Sequence, residues 1–266
     1  MPSTNKSRRK FIKNSALASS LFIVPRHVLG GTGYTAPSDR LNIAGIGLHG
    51  KGNSDILHAS VGGRENVVAL CDVHQNAYGA QVAAEKFPNA KFYTDYREML
   101  EKESLDGVTI STPDHTHAPA SIMAMNLDKH VYCQKPLTHH VSEARAMRKL
   151  AEEKNLITQM GIQVHSFYDY KLATLLIQSG IIGKVNTVRA WSPKNWGYDG
   201  TAPLGNDPVP ETLDWNLWLG TSAERPYKKD IYHPGNWRKL VDYGCGTLGD
   251  MGVHIFDTPY NALELD

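Results

Sequence analysis

From residue 41 onward, apolar runs of about five residues alternate with longer segments whose apolar positions recur at helical spacing. Leu41–Gly45, Asn66–Asp72, Lys91–Tyr93, Asp106–Ser111, Lys129–Cys133 and Leu156–Gly161 read as strands. Ser54–Ser60, Gln75–Lys86, Tyr96–Lys102, Ala118–Asn126 and Val141–Lys154 read as helices between them. Short strands joined by helices imply βαβ units with right-handed crossovers, and therefore an α/β protein with a doubly wound parallel sheet. The first domain is expected over 38–161. Beyond Gly161 the pattern changes. Phe167–Gln178 suits a helix stopped by Gly180, and Lys184–Trp191 alternates as a strand. Ser192–Tyr243 is rich in Pro, Gly and Trp and has little periodicity. One strand makes no sheet that stands alone. Residues 162–266 are therefore either a partial second domain or an extended appendage.

Composition narrows the class. With 41% hydrophobic and 21% charged residues the chain is neither disordered nor collagen-like, and no run of 18 apolar residues offers a stable membrane span. The net charge of +1 hides an asymmetry. Six of the 28 basic residues (Lys6, Arg8, Arg9, Lys10, Lys13 and Arg26) precede the first acidic one, Asp39, leaving 22 against 27 acidic. An acidic body gives no reason to expect a nucleic-acid partner. The basic cluster is instead an address: Ser7-Arg8-Arg9-Lys10-Phe11-Ile12-Lys13 followed by the apolar stretch Ser15–Val24 forms a twin-arginine signal, with 1–37 as signal and N-terminal arm. That predicts periplasmic export of a folded protein, the usual reason for which is a cofactor loaded beforehand. Cys71, Cys133 and Cys245 are odd in number and scattered, and they read as unpaired core residues.

The strongest chemical signal is Gly45-x-Gly47-x-x-Gly50, directly after a strand and before a helix, with Asp72 ending the next strand. In a dinucleotide-binding Rossmann domain the first glycine permits the turn, the second admits the pyrophosphate, and the third packs helix on strand. Asp72 would accept the ribose hydroxyls and repel a 2′-phosphate, favouring NAD. His74, if protonated, would leave NADP possible. Two further clusters follow strands, where a parallel sheet delivers its ligand contacts. They are Ser111-Thr112-Pro113-Asp114-His115-Thr116-His117 and Gln134-Lys135-Pro136. Asp114, His115, His117, His139 and His140 match no structural zinc spacing, so no metal is expected. A helix starting near Thr247 would put Asp250 and His254 on one face. His254 could then take a hydroxyl proton as hydride leaves, Lys135 stabilise the developing alkoxide, and Asp250 orient the substrate. Trp191, Trp196, Tyr232, His233, Trp237 and Arg238 either line a sugar pocket or pack a long loop onto the domain.

Taken in order, G-x-G-x-x-G, the acidic strand end, S-T-P-D-H-T-H, C-Q-K-P-L and G-x-L-G-D-M-G-x-H resemble the glucose-fructose oxidoreductase, inositol dehydrogenase and MocA (Gfo/Idh/MocA) family, in its exported twin-arginine branch. The resemblance runs from about Leu41 to the last residue. It implies a Rossmann domain, then an α/β open-sheet domain whose outer face often forms homo-oligomers. It also implies a tightly held NAD or NADP and a sugar, glycoside or cyclitol substrate. The family's catalytic lysine, aspartate and histidine fall on Lys135, Asp250 and His254. Its cofactor contacts fall on Gly45, Gly47, Gly50, Asp72, Ser111, Thr112, Pro113, His115, His117, Gln134 and Lys135. Two departures stand out: the family's E-K-P reads Gln134-Lys135-Pro136, and the chain stops 12 residues after His254, so it is expected to be C-terminally truncated. The expected activity is NAD(P)-dependent oxidation of a sugar hydroxyl. The alternatives are a redox-neutral, NAD-dependent glycosidase acting through a transient keto-sugar, and a nucleotide-binding protein without catalysis.

Overall fold

The computed structural model describes residues 35–197, 200–201 and 204–265. The twin-arginine pattern and the Ser15–Val24 stretch lie outside the described residues. The chain divides into two units, Met1–Arg40 and Leu41–Asp266. In the first, Pro37–Asp39 form a single 3-10 turn.

The second unit opens with β1 (Asn42–Ile46), α1 (Lys51–Ala59), β2 (Asn66–Cys71), α2 (Tyr78–Lys86) and β3 (Lys91–Tyr93). It continues with α3 (Tyr96–Lys102), β4 (Gly107–Ile110), α4 (Asp114–Asn126), β5 (His130–Gln134), α5 (Val141–Lys154) and β6 (Thr158–Gly161). All neighbouring strands are parallel, in the order β3-β2-β1-β4-β5-β6. The order reverses between β1 and β4, which opens a crevice at their carboxyl ends, where doubly wound sheets bind ligands. Both faces are covered, so the central strands are apolar almost throughout. Ile46, Met99, Ile110, Ala124, Met125 and Met147 pack on one side under α3, α4 and α5. Leu48, Ile56, Leu70 and Ala80 pack on the other, under α1 and α2.

Helix α4 begins at Asp114, four residues before the expected start. Pro119 would suit a first turn, where its missing N–H costs nothing. Instead it sits inside the helix, and Asp114 occupies the first turn, where a carboxylate is favoured by the helix dipole.

After β6 come α6 (Tyr168–Gln178), α7 (Trp215–Leu219), α8 (Gly246–Ile255) and α9 (Asp257–Ala262). The strand expected at Lys184–Trp191 does not form. Among the described residues no strand lies beside it, and Val188 and Trp191 are exposed; an alternating pattern without a pairing edge or a surface to cover gains nothing from extending. The tryptophan-rich segment instead builds a third core, of Leu213, Trp218, Leu219, Tyr227, Tyr232, Trp237 and Tyr243. Trp215 stacks on Trp218 with centroids 4.8 Å apart. Two backbone bonds, Asp214 N–H to the Val73 carbonyl (2.9 Å) and Gln75 N–H to the Thr212 carbonyl (3.2 Å), fasten this block beyond the carboxyl end of β2.

Candidate active site

The crevice is a cavity of about 610 Å³, walled by the turns after β1, β2, β4 and β5, by the aromatic block and by α8. Of the glycines, Gly47 (φ 77°) cannot be replaced, because a Cβ there would meet the Ser111 carbonyl at 2.8 Å. Gly50 does not pack helix on strand as expected: the space around it is open. That role falls to Gly52, two residues on and absent from the sequence reading, whose Cβ would lie 1.9 Å from the Gly47 carbonyl oxygen. Gly52→Ala should therefore displace the turn and cost about 1–3 kcal/mol or more, as overpacked sites do. Thermal unfolding with and without NAD tests this; a variant with unchanged melting and unchanged NAD-induced stabilisation would refute it. Gly45 packs against Leu48 and Ile56 and does not reach the cavity.

Asp72 is buried at the end of β2, and its two oxygens accept the backbone N–H groups of Leu48 (2.7 Å) and His74 (2.9 Å). Burial raises the carboxyl's pKa and these two bonds act against it. The acid thus orders the glycine turn while facing the cavity. His74 Nδ1 pairs with His233 Nε2 (2.9 Å) and His74 Nε2 with Thr212 Oγ1 (3.1 Å). Burial pushes His74 down and His233 down to about 4, so two neutral imidazoles share one proton-donating contact. Burial thus works against the protonated His74 that would tolerate a 2′-phosphate, while the Asp72 carboxylate beside it works for it.

Ser111, Thr112, Pro113, His117, Gln134 and Lys135 all line the cavity. Ser111 Oγ and Gln134 Nε2 each donate to Asp55 Oδ2 at 2.8 Å, and Lys51 pairs with the same carboxylate at 2.8 Å. Asp55 was not singled out in the sequence. Its signal was indirect: an amide in place of an acid at 134 is a donor, and a buried donor needs an acceptor. His115 does not reach the cavity. It is buried among Trp218 and Tyr243, with Nε2 3.2 Å from the Trp218 carbonyl, and burial pushes it down to about 4. His117, two residues on and therefore on the opposite side of the helix, lines the cavity instead. Among the described residues no group of three or more His, Cys, Asp or Glu is placed to hold a metal.

At the α8 end, Lys135 Nζ donates to Asp250 Oδ1 (2.5 Å) and to the Asp250 backbone carbonyl (3.0 Å). Trp196 Nε1 donates to Asp250 Oδ2 (2.7 Å), and Lys194 Nζ stands 3.4 Å from the same oxygen. Burial alone would raise the Asp250 carboxyl, but these donors hold it below the usual range. The segment carrying Lys194 and Trp196 is fastened by Thr247, whose Oγ1 accepts from Trp196 N–H (2.8 Å) and donates to the Lys194 carbonyl (3.2 Å). His254, one turn beyond Asp250, faces the same space. Burial and the charges of Lys135 and Lys194 lower its pKa against the pull of Asp250, so it is a neutral base near pH 7. Nothing in the sequence marks Lys194, because a lysine in an irregular loop carries no periodic signal.

The aromatic candidates divide. Trp196, His233, Trp237 and Arg238 line the cavity, with the Arg238 guanidinium 4.2 Å over the Trp237 ring. Tyr232 is instead buried in the third core against Trp215, Trp218 and Tyr243, and Trp191 is 80% exposed, away from the site. Residues 40–162 match the model of the Gfo/Idh/MocA oxidoreductase family's NAD-binding Rossmann fold, and residues 169–266 that of its C-terminal α/β domain. The chain belongs to the Gfo/Idh/MocA family. A levoglucosan dehydrogenase of Pseudarthrobacter phenanthrenivorans is 26% identical over 178 residues, covering 67% of this chain and 38% of that protein. An inositol 2-dehydrogenase of Salmonella typhimurium is 34% identical over 149 residues, covering 54% and 43%. A crystal structure of an oxidoreductase domain protein from Kribbella flavida superposes with a TM-score of 0.60 at 27% identity, covering 85% of this chain and 54% of that one. The chain spans less than half the length of these two dehydrogenases. As a Gfo/Idh/MocA member it is an NAD-binding oxidoreductase-family protein. NAD also suits the residues present: a turn cleared of Cβ atoms, an acid fixed at the end of β2, and a helix start facing the crevice are what a dinucleotide needs.

Proposed function

We propose that this chain oxidises a secondary hydroxyl of a sugar, glycoside or cyclitol, with NAD as hydride acceptor. The observation that carries the reading is convergence. Lys135, Asp250 and His254, from two segments 115 residues apart in sequence, face one cavity with the glycine turn and Asp72. The turn at Gly47 and Gly50 with the start of α1 would hold the pyrophosphate, and Asp72 the ribose hydroxyls. NAD, when bound, supplies the acceptor for the hydride.

The protein's own part is proton handling and orientation. His254 receives the hydroxyl proton at whichever ring nitrogen meets the substrate. The Lys135 ammonium donates to the substrate oxygen as negative charge develops there. Asp250, held by Lys135, Trp196 and Lys194, fixes the lysine's direction and the polarity of the pocket. Arg238 and Trp237 offer a cation and an aromatic face to a polyhydroxylated ring. The names of the levoglucosan and inositol dehydrogenases agree with this substrate class. We further propose that residues 1–37 direct twin-arginine export with the cofactor aboard.

The test is to purify the protein without added nucleotide, denature it, and identify what is released by mass spectrometry. Near one NAD per chain, followed by NADH formation with one or more members of a sugar and cyclitol panel, is the expected result. Protein that neither retains nor binds NAD would overturn the reading.

A further inference from the structure

One buried ionisable group beside the site takes no part in this chemistry. His117 lies in the second turn of α4 and is 1% exposed. Its Nδ1 stands 2.7 Å from the Pro136 carbonyl oxygen, and its Nε2 stands 2.8 Å from the Thr112 carbonyl oxygen. A carbonyl oxygen only accepts, so each contact requires a proton on the nitrogen. A neutral imidazole has one proton. In either tautomer it would set a ring lone pair against a carbonyl lone pair at hydrogen-bond distance, inside the protein, where water cannot intervene. Turning the ring over exchanges the two nitrogens and changes nothing, because both partners are acceptors.

The surroundings bear on the charge in both directions. Burial opposes it, as do the positive end of α4 and any charge on His115 two residues before. Asp114, one turn earlier on the same helix and itself buried, favours it; its Oδ2 also accepts the Cys245 N–H (3.1 Å). From β5, Cys133 favours it too. Against burial, Cys133, Asp114 and the Pro136 carbonyl carry His117 up to about 9.

We propose that His117 is an imidazolium throughout the neutral range, a charged staple between the turn after β4 and the turn after β5 that fixes the backbone carrying Lys135. It is a positioning residue, since it acts through Thr112 and Pro136. It also places a fixed positive charge in the wall of the cavity. That second consequence rests on the NAD reading above, whereas the staple does not. The oxidised nicotinamide ring is cationic and the reduced ring is neutral, so a fixed cation in the wall weakens binding of NAD⁺ relative to NADH.

Long-range ¹⁵N–¹H NMR of the purified protein, with its histidines labelled and His117 assigned, reads the protonation directly. Both ring nitrogens should remain of the protonated type from pH 6 to about 8, below the value to which His117 is raised. One unprotonated nitrogen at pH 7 would overturn the staple. The second arm is the ratio of NAD⁺ to NADH dissociation constants in wild type and in His117→Gln. Loss of one charge at an effective dielectric constant of about 20 should move that ratio by roughly tenfold toward NAD⁺. A ratio that stays put overturns the electrostatic role. If neither nucleotide binds wild type, the cofactor reading fails while the NMR result still decides the staple, and if the variant does not fold, the NMR result on wild type decides it.

Discussion

His254→Ala should lower turnover by about 10²–10⁴-fold while leaving the dissociation constant for NAD within a few-fold of wild type. The loss is that of a positioned base. His254 faces the cavity one turn beyond Asp250, and burial with the nearby charges of Lys135 and Lys194 keeps its ring unprotonated near neutrality. Among the described residues nothing else at the α8 end combines that position with a free lone pair at pH 7. Asp250 is engaged by Lys135 and Trp196, and its carboxyl is held low, which makes it a poor base. Lys135→Met should cost about 10²–10³-fold, the usual loss for one donor to a developing oxyanion. The double variant should fall little further than the worse single one, because the groups act on one O–H bond. A pH profile separates the roles. For wild type, kcat/KM should decline on the acid side with a midpoint below the ordinary histidine value of about 6.5, because the native ring resists protonation. His254→Ala should lack that limb. Steady-state kinetics with the best substrate from the panel and NAD titrations by fluorescence supply both numbers. Equal losses of turnover and NAD affinity in His254→Ala would remove it as the base.

What the sequence revealed and what it hid have the same cause, which is whether a residue's partners are close along the chain. The glycine turn, Asp72 and the strand–helix alternation are local, so six strands and their parallel pairing were readable. The pair Asp250 and His254 was readable as well, since helical spacing places them on one face. Partners distant in sequence were not. Asp55 satisfies Gln134 across 79 residues, and Lys194 reaches Asp250 across 56. Within S-T-P-D-H-T-H, composition could not say which histidine faces the ligand space. That depends on where α4 begins, and Pro119 masked the start. Tyr232 and Trp191 show the same limit for aromatics: one closes a core and the other stands in solvent, though both were equal candidates for a sugar pocket. The strand at Lys184–Trp191 had the right alternation but found no edge to pair with among the described residues.

Stability should peak near pH 6.5 and fall on both sides, with different histidines responsible for each limb. On the acid side, His115 and His233 are buried neutral and pushed down to about 4. As pH drops from about 6.5, the unfolded chain takes up protons that these two native rings refuse, so the native state loses ground until about pH 4. Each ring then accounts for about 3 kcal/mol. Asp250, held low, adds to the loss at the acid end, whereas Asp72 and Asp114, raised by burial, offset part of it. On the alkaline side the sign reverses. His117 is raised to about 9, so the native state keeps a proton that the unfolded chain releases above about 6.5. Its contribution is complete below 6.5 and lost as pH rises through 9, again about 3 kcal/mol. Against a total of about 5–15 kcal/mol for an ordinary domain, either limb is a large fraction. Denaturant midpoints from pH 4 to 9.5 at constant ionic strength would trace the curve. His233→Asn should flatten the acid limb and spare the alkaline one, and His117→Gln should do the reverse from a lower maximum. A wild-type curve level between pH 6.5 and 9 would mean that the two carbonyls of Thr112 and Pro136 do not hold a proton on His117 after all.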